Sequence, residues 1–447
     1  MSNAYVIVLT GNIVNFVAGT VLTWSSPELD KLANDTETPF RYPIDEDERS
    51  WISSLFPLGS IFGPFIFGYL ADVIGRKNTL LTCGVPFVVC YLLMAFGTEI
   101  WIFYLARFFL GVVLGGVFTV IPMYVGEVAE DTNRGALGSM MNVFLCSGLF
   151  FAYCVGPYTS VMVFNLILAV FAIIFLPTFY FLSPETPQYF ISKGKYKEAR
   201  ESMQKIRGPT VNVDYELDAI QKKSKEDGKG NIMDIYRSKA LTKALGISVG
   251  LVFFQQFSGI NAVLFYAQTI FKKAGTSIKP EICSIIIGGV QFGTSFLTPL
   301  IADRLGRKVL LLVSAVGMVI AEVPLGIYCY LDSHGTNMSS VSFLPIVCLI
   351  AYIITYNFGF GPLPWAVMGE IFPANVKSIA SSITAGFCWF CGFLIAKYFA
   401  AISDAIGMGP SFWIFSGFCA AAIPFTMFFV VETKGKNVDE IQKELDS

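Results

Sequence analysis

Apolar residues along this chain gather into long runs separated by short polar turns, and twelve runs reach the roughly 20 residues that a helix needs to cross a bilayer. They cover about residues 4–24, 51–74, 79–98, 101–126, 135–156, 160–182, 245–271, 281–302, 309–331, 343–369, 379–402 and 410–431. Runs this long predict an all-α membrane protein of twelve transmembrane helices, because a helix satisfies its own backbone hydrogen bonds in lipid. The first run has no basic leader and no small-residue cleavage pattern, so it reads as a retained helix.

The twelve runs form two related sets. The phrase GYLADVIGRK (Gly68 to Lys77) returns as LIADRLGRK (Leu300 to Lys308). Asp72 recurs as Asp303 after 231 positions, Glu127 and Arg134 as Glu370 and Lys377 after 243, and Glu185 as Glu432 after 247. Parallel repeats of this kind build one class of secondary transporter, with halves related by an axis along the membrane normal. The expected organisation is an N-terminal six-helix half (1–182), a polar linker (183–243), a C-terminal half (244–431) and a tail (432–447). Within the linker Tyr196, Ala199, Met203 and Ile206 recur at helical spacing, which predicts short amphipathic helices docked beneath the membrane part.

Composition narrows the function. A hydrophobic content of 54% and a mean hydropathy of +0.62 exceed what a soluble domain of 447 residues buries, so lipid is the expected partner of most of the surface. The net charge of −2 gives no basic stripe for nucleic acid. His334 is the only histidine, and the ten cysteines lie mostly inside apolar runs without paired spacing, so no metal site, cofactor or disulfide framework is expected. No phosphate-binding G-x-x-x-x-G-K-[ST] loop occurs, and no nucleophile, base and orienting group occur together, which argues against an ATPase and against an enzyme. Outside the runs, 23 Lys and Arg residues fall on the side of the termini and linker and 6 on the other. The positive-inside rule then places both termini in the cytoplasm. Asn34 and Asn337 begin glycosylation acceptor triplets, and both fall in loops assigned to the outside.

Two constellations carry chemistry. Asp72, Arg76, Glu127, Arg134 and Glu185 in the first half, with Asp303, Arg307, Glu370, Lys377 and Glu432 in the second, set opposite charges at equivalent depths beneath both halves. Exposed ion pairs are worth only about 0–1 kcal/mol each, so such a cluster can close a gate and still release it. Separately, Gln255, Gln256 and Asn261 fall within seven residues in the middle of the seventh run, with Gly259 able to loosen the helix between them. Amides in lipid require partners, and a polyhydroxyl ligand supplies donors and acceptors together. Gln291, Asn142 and Trp365 add contributors from the eighth, fifth and tenth runs, the indole offering a flat face to a sugar ring. Pro362 and Pro364 predict a broken tenth helix. Trp389 is open between packing and binding.

These phrases resemble the sugar porters of the major facilitator superfamily over essentially the whole chain. The matches are GYLADVIGRK, RFFLG, PMYVGEVAEDTNRG, PETPQYF, QQFSGINAVLFY, DRLGRK, GPLPWAVMGEIFP and ETKGK, in order. DEDERSW before the second run, with SSP after the first, looks like the arthropod facilitated trehalose transporters and related animal glucose transporters. The resemblance implies that Gln255, Gln256, Asn261, Gln291, Asn142 and Trp365 contact a small sugar. Departures stand beside it: Asn357 replaces a usual acidic residue, Cys388 a usual asparagine, and Phe265 one of two tyrosines, so the second-half side of the pocket is less polar. The first run carries no Asp, Glu or His, whereas proton-coupled relatives carry an acid there. The expectation is a facilitative uniporter for trehalose or a hexose, working by alternating access at the plasma membrane. The alternatives are a proton-coupled symporter, for which Glu322 in the ninth run is the one intramembrane candidate, and a non-transporting sensor, disfavoured by the short stretch after Glu432.

Overall fold

The computed structural model describes residues 3–130, 133–208, 211–226 and 231–446, and the side chains of Arg134 and Asp303 lie outside the described set. All regular structure among the described residues is helical. Twelve helices are long and apolar enough to cross a membrane: Ala4–Thr23, Glu46–Ile74, Arg76–Phe96, Ile100–Val128, Gly135–Tyr158, Val161–Leu182, Lys239–Lys273, Pro280–Thr298, Arg307–Ser333, Ser339–Ile371, Asn375–Ile406 and Met408–Phe428. They are numbered below as spans 1 to 12 in that order.

Local chemistry sets where the spans begin and break. Span 2 starts at Glu46, ahead of its apolar run, because Asp45 and Glu48 form a reciprocal capping box: Glu48 N donates to Asp45 Oδ1 at 2.8 Å and Asp45 N to Glu48 Oε2 at 3.0 Å. Span 7 divides into Lys239–Phe257 and Ile260–Lys273 around Gly259, whose φ is +86°. A Cβ there would stand 2.6 Å from the Phe415 ring, so the break requires glycine. Span 10 divides into Leu344–Phe358 and Leu363–Ile371, where Pro362 and Pro364 interrupt the amide ladder.

Spans 1, 2 and 3 pack on spans 5, 4 and 6 respectively, and span 9 packs on spans 10 and 12. The two groups meet where span 2 lies along span 11 and span 5 along span 8. The linker helices and both described chain ends lie on one face, here the linker face; the opposite side is the far face. Tyr196–Arg207 forms the expected amphipathic helix, burying Ala199, Met203 and Ile206. It is fastened by Arg207, whose Nη1 donates to Val128 O at 2.7 Å and whose Nη2 pairs with Glu216 at 2.6 Å. The tail contains a helix, Val438–Asp446, that buries Ile441 and Leu445. Its Gln442 side chain donates to Ile371 O of span 10, and Lys239 Nζ of span 7 to Asp446 O at 3.1 Å.

Candidate sugar site and gates

The amides of span 7 gather at its break. Gln255 Nε2 donates to Phe360 O and Gly361 O, both at 2.7 Å, using carbonyls that the break in span 10 has freed. Gln256 Nε2 donates to Cys388 Sγ at 3.0 Å, and Asn261 Nδ2 to Gln256 Oε1 across Gly259. Gln255, Gln256 and Asn261 are all buried. Two interrupted helices are therefore tied together by side-chain amides, which leaves donors and acceptors concentrated at one depth. Gln291 of span 8 is also buried, and its Oε1 has no protein partner among the described residues. Such a buried acceptor is unfavourable until something donates to it.

The remaining sequence candidates are placed less uniformly. Asn357 donates to Thr294 Oγ1 at 2.7 Å and accepts, through its carbonyl, from Thr298 Oγ1 at 3.1 Å, which locks span 10 to span 8. Cys388 touches Gln256 directly. Asn142 and Trp365 are only half-buried; Asn142 accepts within its own helix from Cys146 Sγ at 3.8 Å and is not tied to the amide cluster. Trp389 stacks on Phe118, centroids 5.9 Å apart, and meets Phe56 edge-on, so it packs span 11 against spans 2 and 4 of the other half.

The charged phrases take up matching geometries on the linker face. In the first half Arg76 pairs with Glu127 at 3.1 Å and Asp72 at 3.3 Å, while the Glu185 carboxylate accepts from the backbone N–H of Arg76 at 2.9 Å and Lys77 at 3.0 Å. In the second, Arg307 pairs with Glu370 at 2.9 Å and Glu432 accepts from Arg307 N at 2.9 Å and Lys308 N at 3.0 Å. Lys377 donates to Gly369 O. Glu185 thus caps the first turn of span 3 and Glu432 that of span 9, favoured by the positive end of the helix dipole. Gly75 and Gly306, at φ +97° and +88°, make room: a Cβ on Gly75 would fall 2.1 Å from Glu185 Oε2. Burial pushes the Glu185 carboxyl above its ordinary range despite these N–H groups. Glu432 pays a burial penalty too, but the N–H groups of Arg307, Lys434 and Lys308 outweigh it and hold the carboxyl below its usual value. All these pairs connect helices inside one half, whereas the sequence suggested only that opposite charges share a depth.

The bonds that join the halves cluster on the far face, a feature sequence reasoning missed. Ser25 Oγ donates to Phe265 O at 3.3 Å, Gln268 N to Ser26 Oγ at 3.2 Å, Tyr153 OH to Leu264 O at 2.8 Å and Arg49 Nη2 to Thr269 Oγ1 at 3.1 Å. Lys397 Nζ of span 11 pairs with Asp47 at 2.7 Å, donates to Ser50 Oγ at 2.8 Å and lies 4.1 Å over the Trp51 ring. The available signal was a single lysine inside an otherwise uncharged apolar run. Arg107 of span 4 is a second such cation: fully buried, it donates to Ile52 O at 3.1 Å and Val21 O at 3.2 Å and sits between the Trp24 and Phe56 rings, 5.0 and 4.9 Å away. Asn34 and Asn337 lie in exposed far-face turns, each oxygen accepting from the third residue of its triplet.

Comparison with known proteins agrees with this architecture. The family described as "Sugar (and other) transporter" matches residues 8–445. A facilitated trehalose transporter of Polypedilum vanderplanki is 37% identical over 435 residues, covering 96% of this chain and 86% of that protein. One from Bombyx mori is 38% identical over 411 residues, covering 90% and 80%. Among solved structures, the inward-open xylose transporter XylE from E. coli superposes with a TM-score of 0.81 at 24% identity, covering 99% of both chains. The XylE proton:xylose symporter bound to 6-bromo-6-deoxy-D-glucose gives 0.80 at 23%, again over 99% of both. With the family match running almost end to end and the twelve-helix fold shared, the chain belongs to the sugar (and other) transporter family of the major facilitator fold, whose members are membrane transporters and not enzymes.

Proposed function

We propose that this protein is a facilitative uniporter that moves trehalose or a hexose by alternating access. The observation that carries the proposal is the amide cluster at two helix breaks, Gln255 against the span 10 carbonyls and Gln256 against Asn261, together with the buried Gln291 acceptor of span 8, which has no partner among the described residues. A sugar hydroxyl both donates and accepts, so it can enter such a network without stranding a polar atom. Trehalose is put first because the similar curated proteins are named facilitated trehalose transporters. Uniport is favoured by Arg107, the cation buried in the first half, which is held by carbonyls and ring faces among the described residues and not by a titratable carboxylate. The linker face is read as cytoplasmic from its excess of Lys and Arg, with Asn34 and Asn337 as outer glycosylation sites at the plasma membrane. The far-face bonds then hold the carrier closed to the outside.

Proteoliposomes loaded with unlabelled trehalose are expected to take up labelled trehalose by counterflow, with no dependence on a proton gradient. Absence of counterflow for trehalose and for a panel of hexoses would refute the assignment. One observation favours proton symport as a second reading: Glu322 of span 9 is 1% exposed and its Oε2 has no partner among the described residues. A wild-type uptake rate that rises with an inward proton gradient, and loses that rise in Glu322→Gln, would replace uniport with symport.

A further inference from the structure

We propose that the groove between spans 3 and 6 at the linker face binds an anionic glycerophospholipid of that leaflet. The inference rests on reading the linker face as cytoplasmic, since anionic lipids concentrate there. The groove has a volume of about 520 Å³. Leu81, Val85, Leu176 and Pro177 form its apolar lining, against which an acyl chain can lie, and Asn78, Thr82 and Tyr180 supply its polar side chains. Asn78 and Thr82 are exposed on the membrane-facing surface, one helical turn apart. Their donors return to their own helix, Asn78 Nδ2 to Ile74 O and Thr82 Oγ1 to Asn78 O, both at 2.9 Å. Tyr180 is 57% exposed. Exposed polar groups at this depth are costly against hydrocarbon and well matched to the ester and phosphate region of a lipid.

The duplicated half provides an internal control. The offset of 231 carries Asn78 to Val309 and Thr82 to Val313, and the offset of 247 carries Tyr180 to Met427. These counterparts are 48%, 54% and 50% exposed, so the same surface exists in the second half and is wholly apolar there. The fold therefore does not require polar side chains at these positions. Charge points the same way. Lys77 Nζ donates to Tyr180 O at 2.7 Å and lies 5.0 Å from that ring, which fixes a cation at the mouth. Lys205 arrives from the linker helix: Ser202, one turn earlier, donates to Glu185 O, and Glu185 caps the Lys77 backbone. Lys205 is exposed and within electrostatic reach of Lys77. The Glu185 carboxylate, held on backbone N–H groups, attracts Lys77 more strongly than Lys205 repels it, so the mouth carries two cations and one anion, a net positive charge. A headgroup of net negative charge is drawn to that net positive mouth, whereas a net-neutral one is not.

The test uses the full chain in phosphatidylcholine nanodiscs doped with phosphatidylserine or phosphatidylcholine that carries a photoactivatable acyl chain, followed by peptide mapping. Phosphatidylserine is expected to label the segments around Leu81 and Leu176 about fivefold more than phosphatidylcholine, a ratio set by roughly one extra lysine–headgroup interaction. Lys205→Gln, outside the membrane, should bring the two lipids level without touching the helix packing; Asn78→Val with Thr82→Val, which copies the second half, should lower the labelling by both lipids alike. Melting curves report whether each variant is folded. Equal labelling of wild type by both lipids, wild-type labelling of folded variants, or equal labelling around Val313 would overturn the site. Nanodiscs expose both faces, so failure here is distinguishable from a wrong orientation, which thiol labelling of a linker cysteine in sealed cells reports separately.

Discussion

Glu28 offers the most direct quantitative test. It lies on a short far-face helix, Ser25–Leu32, with no exposed surface. Lys31 Nζ approaches its Oε1 at 2.7 Å and also donates to Gly156 O and to Thr159 O, the latter at 2.6 Å, while Oε2 has no partner among the described residues. Burial pushes the carboxyl from 4.5 up to about 7, Lys31 opposing the shift only in part. A carboxyl raised in the folded state favours folding in its protonated form. The penalty is therefore absent below pH 4.5, grows as pH rises, and is complete above about 7. Between pH 7.5 and 5.5 this single group is worth about 2 kcal/mol in favour of the acid side. Thermal unfolding of purified wild type and Glu28→Gln across that range isolates it, because the glutamine keeps the shape and removes the proton. The stability of wild type relative to Glu28→Gln should improve by about 2 kcal/mol on acidification. Parallel pH profiles for the two proteins would refute the reasoning and place the Glu28 carboxyl in water.

Gln256→Ala removes the acceptor for Asn261 and the donor to Cys388, and should raise the half-saturation for sugar about tenfold, roughly 1.4 kcal/mol, with surface expression intact; unchanged uptake affinity would remove Gln256 from the site. Gly75→Ala forces a Cβ into the Glu185 carboxylate at positive φ and should destabilise by about 2–4 kcal/mol, read as a lowered unfolding midpoint, with Gly306→Ala milder because its Cβ would meet Glu432 Oε2 at 2.8 Å, a lesser clash than the 2.1 Å at Gly75. Lys397→Met should cost the closed far face about 1–2 kcal/mol, the sum of an ion pair to a mostly exposed Asp47 and a cation–π contact, measured as increased reactivity of a far-face cysteine probe. No change in reactivity would show that the lysine serves packing alone.

The breaks in spans 7 and 10 were legible because glycine and proline act on their own backbone, so Gly259 and Pro362 announce them locally. The repeat likewise revealed that Arg76 and Arg307 occupy equivalent places. What it could not reveal was the choice of partner: that each arginine pairs within its own half, and that Glu185 and Glu432 spend themselves on backbone N–H groups, depends on donors that every residue carries and no side-chain pattern marks. The Ser25–Leu32 helix was hidden for a different reason. Its eight residues are mostly polar, yet nearly all are buried by spans contributed from distant sequence.

The break at Gly259 divides the allegiance of one helix. Below it, Lys239–Phe257 is fastened to span 10 through Gln255; above it, Ile260–Lys273 is bonded to the opposite half through Ser25, Ser26, Tyr153 and Arg49 and to span 11 of its own half through Tyr266 and Lys273. Span 7 is thus a strap whose lower piece belongs to one body and whose upper piece bridges both, with the amides at the seam. Opening the far face requires these fourteen residues to release the opposite half and Lys397 of span 11 to release Asp47 and Ser50. A ligand lodged at the seam touches both pieces, so occupancy itself can decide which side the strap follows.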